Sequence, residues 1–103
     1  YNSSVTGITF VDGSNHHIIT VGYADASKPY NNMTHVKVLG WRGNGDGIHV
    51  FQYWDQVSDL FLRTQDDSMY LGGSAMAATF ARITTWNDAN GVPFIFSATS
   101  GPG

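Results

Sequence analysis

Three aspartates offer the chemistry most accessible to this chain. Asp46 lies in Asn44-Gly45-Asp46-Gly47-Ile48, and Asp66 and Asp67 lie in Gln65-Asp66-Asp67-Ser68, with Asp66 20 positions after Asp46. That spacing is close to one turn of a parallel β-helix, in which strands of successive coils stack about 4.7–4.9 Å apart. Equivalent positions one coil apart are neighbours, so the three carboxylates are expected to crowd on one surface. Like charges this close cannot all ionise comfortably, and one carboxyl should hold its proton to a higher pH than usual. A protonated carboxyl that donates to a glycosidic oxygen, beside a carboxylate that activates water, is the machinery of glycoside hydrolysis. The plainer role for each aspartate alone is turn formation. Clustered carboxylates also suit a hard cation such as calcium.

Aromatic residues flank these segments: Trp41, Tyr53, Trp54, Tyr70 and Trp86. Sugar rings stack on such surfaces, although Tyr and Trp also fill β cores. Trp41, Arg42, Tyr53 and Tyr70 are the substrate-binding candidates. Arg42 and Arg63 could meet a carboxylate or sugar hydroxyls, and a structural ion pair is the plainer role for both. His16, His17, His35 and His49 show no metal-ligand spacing, and His49 reads as a packing or surface residue. No metal or cofactor is expected. No nucleophile–base arrangement emerges from the serines, and Gly43-Asn44-Gly45-Asp46-Gly47 lacks the helix that a phosphate loop needs.

The elements that must position these residues are short strands. Val, Ile, Thr and aromatic runs alternate with Gly, Asn and Asp clusters: 5–11, 17–21, 35–39, 48–51, 57–62, 69–71, 79–84 and 93–96. No sustained 3.6-residue apolar period predicts a long helix. Paired, the strands form four degenerate repeats, 5–21, 34–51, 57–71 and 78–96, whose starts differ by 29, 23 and 21 residues. A drifting period of this kind predicts an all-β, right-handed parallel β-helix of about four coils, with the catalytic coils over 34–97. The segment from Gly22 to Asn32 reads as a loop protruding from one coil. An antiparallel sandwich of eight strands has a similar period and is the alternative. The termini and the open sheet edges of a four-coil solenoid suggest an excerpt of a longer β-helix.

Composition narrows the partners. The chain has 103 residues, 42% hydrophobic and only 13% charged, enough for one small domain with a core. A net charge of −3 with five Lys and Arg argues against nucleic acid and against strongly anionic polymers. There is no cysteine, hence no disulfide framework, and no apolar run reaches the length of a membrane span. Asn2-Ser3-Ser4 and Asn32-Met33-Thr34 are glycosylation sequons, so Asn2 and Asn32 are candidate glycan acceptors in a secreted protein.

From Gly40-Trp41-Arg42-Gly43-Asn44-Gly45-Asp46-Gly47 to Gln65-Asp66-Asp67, the chain resembles the dextranase and isopullulanase family of glycoside hydrolases. Trp86 and the Val92-Pro93-Phe94-Ile95-Phe96 strand extend the likeness over roughly residues 34–97. The Asp-Gly plus Asp-Asp pattern is shared with polygalacturonases. The resemblance implies a secreted, inverting endo-hydrolase with Asp66 as general acid and with Asp46 and Asp67 positioning and activating water. Where the family has a basic residue soon after the Asp pair, this chain reads Ser68-Met69-Tyr70-Leu71-Gly72-Gly73. The Gly-His-Gly and Arg-Ile-Lys signatures of polygalacturonases are missing, Arg82-Ile83-Thr84 coming nearest. A neutral, dextran-like α-glucan is therefore the expected substrate. The alternatives are a pectin hydrolase and a non-catalytic β-helical segment for carbohydrate binding or adhesion.

Overall fold

The computed structural model describes residues 3–20, 30–51, 54–72, 77–88 and 90–97. They contain the strands β1 (Ser3–Thr6), β2 (Thr9–Val11), β3 (Ile18–Thr20), β4 (Asn31–Leu39), β5 (Ile48–Val50), β6 (Gln56–Thr64), β7 (Met69–Leu71), β8 (Thr79–Asn87) and β9 (Phe94–Phe96), and no helix. Every pairing is parallel. One sheet runs β1-β4-β6-β8, with β2 also on β4, and the other runs β3-β5-β7-β9. Paired strands are never consecutive in the chain, so the backbone crosses to the other sheet and returns one layer higher. The result is a parallel β-solenoid of four rungs spanning about three turns. An antiparallel sandwich is excluded, because its hairpins would pair consecutive strands.

Partners lie 28, 24 and 23 residues apart along the first sheet and 30, 21 and 25 along the second. The drifting repeat of the sequence is thus the rung. Several boundaries differ from expectation: β6 and β8 run on to Thr64 and Asn87, past the expected 62 and 84. Asn31 and Asn32, read as the end of a loop, open β4, while residues 22–29 of that loop and Val21 before it lie outside the described residues. The first expected strand is broken at Gly7, whose φ is +68°.

That break belongs to a column. Gly7, His35, Asp59 and Arg82 occupy one position in successive rungs, and all four have positive φ, between 54° and 68°. Each left-handed residue inserts one unpaired position and bends its strand. The inward alternation is shifted there: Met33 is buried, and the next buried residue is Val36, as Val57 is followed by Leu60. Non-glycine residues disfavour this conformation, and the column offsets the strain with polar contacts. Arg82 donates to both carboxylate oxygens of Asp59, at 2.5 and 2.8 Å. The guanidinium holds the Asp59 carboxyl down at about 2. The stabilisation from this depressed value is present above the ordinary 3.8 and is lost as pH falls through about 2.

Period-2 alternation sends one residue type inward, and stacking puts like on like. Met33 lies on Val57, Val36 on Leu60, Val38 on Leu62, Ile48 on Met69 and Val50 on Leu71, and all ten are buried. Each contributes roughly 1.5–3 kcal/mol by burial. The last described rung has the same inward positions, with no layer above it among the described residues. Phe96, in register with Leu71, is consequently 79% exposed.

One charge is buried in this interior. Asp55 has no exposed surface; its Oδ1 accepts from the Asn31 backbone N–H at 2.7 Å and from Asn31 Nδ2 at 3.0 Å. Its Oδ2 makes no hydrogen bond among the described residues. Burial pushes the carboxyl above its ordinary 3.8, with Asn31 and Thr20 offsetting this only in part. A raised native value means that the ionised form weakens the fold. The penalty is absent below 3.8, where both states are protonated, and grows as pH rises through the native value. Asp55→Asn is therefore expected to raise stability by about 1 kcal/mol near neutral pH. Urea midpoints of the two proteins should converge at about pH 3.5; a constant difference across pH would refute the account.

Candidate functional site

The site is built on the turns that lead from the first sheet into the second. Ile48 pairs with Met69, an offset of 21 residues rather than 20. Asp67, not Asp66, is therefore the residue that stacks on Asp46. The backbone shows it directly: Gly47 N–H donates to the Asp67 carbonyl at 2.9 Å and Ile48 N–H to the Ser68 carbonyl at 3.0 Å. Asp66 is one residue earlier, and its Oδ1 accepts from the Asp67 N–H at 3.0 Å. Asp67 Oδ1 accepts from the Val92 N–H of the next rung at 2.9 Å. The Asp pair is anchored from inside: Thr64 Oγ1 and Asn87 Nδ2 donate to the Asp66 carbonyl at 2.7 and 2.8 Å. All three aspartates are partly exposed, as groups meeting a ligand must be.

The histidines are where the sequence reading needs correction. Ile18 pairs with Ile48 at an offset of 30, which sets His16 on Asp46. Asp46 Oδ2 accepts from His49 Nε2 at 2.8 Å and from His16 Nδ1 at 3.1 Å. His49 is not a detached packing residue. Its ring lies 4.1 Å from that of His16 and stacks on Tyr70 at 5.0 Å, with Phe51 at its edge. Burial lowers its pKa, and the hydrogen bond to Asp46 opposes this. The Asp46 and Asp67 charges also favour its charged form. His17 turns the other way. Its Nε2 accepts from the Gly13 N–H at 3.0 Å, so its Nδ1 carries the proton and donates to the Asp46 carbonyl at 2.6 Å. Three of the four histidines thus hold Asp46. Only the 30-residue register could have revealed His16, and no local spacing contains it.

The other candidates divide. Tyr70 belongs to the site through His49. Trp41 is 49% exposed at the same corner, and the Arg63 guanidinium lies between its ring and that of Trp86, 5.3 and 5.6 Å from the two centroids. Arg63 also donates to Asp88 at 2.8 Å. Arg42 donates to Asp12 at 2.9 Å, which holds the Asp12 carboxyl below its ordinary range. Both arginines thus make the plainer ion pairs. Tyr53 and Asn2 lie outside the described residues; Asn32 is exposed on β4. A cleft of about 350 Å³ opens beside the first rung, lined by Ser3, Val5, Ile18, Thr20 and Met33 among others, and none of the catalytic or aromatic candidates among the described residues lines it.

Comparison with protein-family models, with curated proteins and with solved structures gave no match to this chain. The arrangement offers carboxylates on adjacent rungs, imidazoles that hold one of them, and exposed indoles at the same corner.

Proposed function

We propose that the chain carries the catalytic coils of an inverting endo-glycoside hydrolase acting on a neutral, dextran-like α-glucan. The observation that carries this reading is the register that stacks Asp67 on Asp46 and leaves Asp66 beside them. Inversion needs an acid and a base on opposite sides of the glycosidic bond, with room for one water. Asp66 is assigned as the acid that protonates the leaving oxygen. Asp46 and Asp67 are assigned to orient and deprotonate the attacking water. The His16 and His49 bonds keep Asp46 in one orientation, which favours a water-positioning role over a mobile acid. Trp41 and Trp86 give apolar faces for glucosyl rings, and the chain's few cations suit an uncharged polymer. Secretion and glycosylation at Asn32 accompany this reading.

A second reading has its own support. Asp66 and Asp67 each spend one carboxylate oxygen on a backbone N–H, as turn-stabilising residues do. On that basis the segment would bind glycan without cleaving it. Proton NMR of products from dextran, pullulan and polygalacturonate separates the two. Release of β-anomeric sugar from dextran is expected. A folded protein that yields no product from any of the three would replace hydrolysis with binding.

A further inference from the structure

We propose that His16, His49 and Asp46 form a binding site for a divalent transition-metal ion of the zinc type. The donor atoms are His16 Nδ1, His49 Nε2 and an Asp46 carboxylate oxygen, all within 4.8 Å of one another. Zinc bonds to imidazole nitrogen and carboxylate oxygen are about 2.0–2.2 Å, so donors around a tetrahedral ion stand about 3.3–3.5 Å apart. To meet an ion, the observed 2.8 and 3.1 Å from Asp46 Oδ2 to the two nitrogens must lengthen slightly, and the nitrogens, within 4.8 Å of each other, must draw in. The ion would replace the two protons that now bridge carboxylate and imidazoles. Three protein ligands would leave a further position for water.

The donor set selects the metal. Two imidazoles and one carboxylate suit zinc, cobalt and their neighbours. Calcium requires six to eight oxygen ligands, and magnesium a near-octahedral oxygen shell. The ligands are also fixed in advance. His49 is held between the rings of His16 and Tyr70, and the Asp46 backbone is held by His17 Nδ1 at 2.6 Å. Three segments on two adjacent rungs enforce the geometry: the turn before β3, the turn before β5, and β5 itself. Pre-set ligands of this kind reduce the ordering cost of binding.

This site does not rest on the proposed hydrolysis, although it shares Asp46 with it. Calorimetric titration of the folded chain with zinc chloride, without substrate, is the test. One equivalent is expected to bind, with no uptake of magnesium or calcium at equal concentration. Cobalt should give the visible absorption of a low-coordinate ion. His16 has 30% of its side chain exposed, so its removal leaves the core intact. His16→Ala is expected to weaken zinc at least about tenfold, while His35→Ala, on the far bend, leaves it unchanged. Unchanged affinity in His16→Ala, or a folded wild-type chain that takes up no zinc, overturns the proposal. Zinc uptake by a chain that cleaves no glucan upholds this site and counts against hydrolysis alone.

Discussion

Replacing Gly47 by alanine is expected to cost about 3 kcal/mol, near the upper end for overpacking a close-packed site. A Cβ at this position would meet the Ser68 carbonyl oxygen, with the Ser68 carbonyl carbon at 3.1 Å and Thr64 Cγ2 at 3.3 Å. The obstacle is backbone of the next rung, which cannot rotate aside as a side chain can. The two rungs must part where Gly47 and Ile48 donate to Asp67 and Ser68. A domain of this size has about 5–15 kcal/mol of stability, so the melting temperature should fall by roughly 15 °C. Gly43→Ala is the internal control. It lies in the same loop, and its added Cβ would meet nothing within 4 Å. Thermal unfolding followed by circular dichroism compares them, and equal losses at both positions would mean that rung contact is not the cause.

Asp66→Asn carries the largest expected effect on activity. Loss of a general acid typically costs 10²–10⁴-fold, and a fall in kcat on dextran within that range is expected. The fold should survive, since an amide oxygen can still accept from the Asp67 N–H and the Asp66 carbonyl keeps its bonds to Thr64 and Asn87. An unchanged urea midpoint with lost turnover separates catalysis from structure. Near-normal kcat in a folded variant would remove Asp66 from the mechanism and leave the aspartates as turn residues.

Much of the architecture is legible in the sequence. Alternation in Val36-Lys37-Val38, the β-branched runs and the Gly and Asn turns are local signals, and each rung repeats them. The strand Met69–Leu71 coincides with its expected bounds, and Ile48–Val50 falls one residue short of them. The column of left-handed residues was not legible. His35, Asp59 and Arg82 are not glycines, and their conformation is stabilised by neighbours in the stack rather than by intrinsic preference.

The site shows the same division more sharply. Composition and spacing identified Asp46, Asp66 and Asp67 as one neighbourhood and placed aromatics around it. Which aspartate stacks on Asp46 turned on one residue of register, 21 against 20, and coil periods that drift from 21 to 30 cannot supply that precision. Register is settled by burial: Ile18, Ile48 and Met69 must all face the interior, and a slip of one residue would turn each to the other face. The same constraint brings His16 to Asp46 across 30 residues. Chain-local patterns thus determined short repeating strands bearing a carboxylate cluster, and the parallel pairing of those strands decided for a stacked β-solenoid over a sandwich. Only tertiary packing decided that imidazoles enclose one of those carboxylates, because contacts between rungs depend on how apolar side chains align across them.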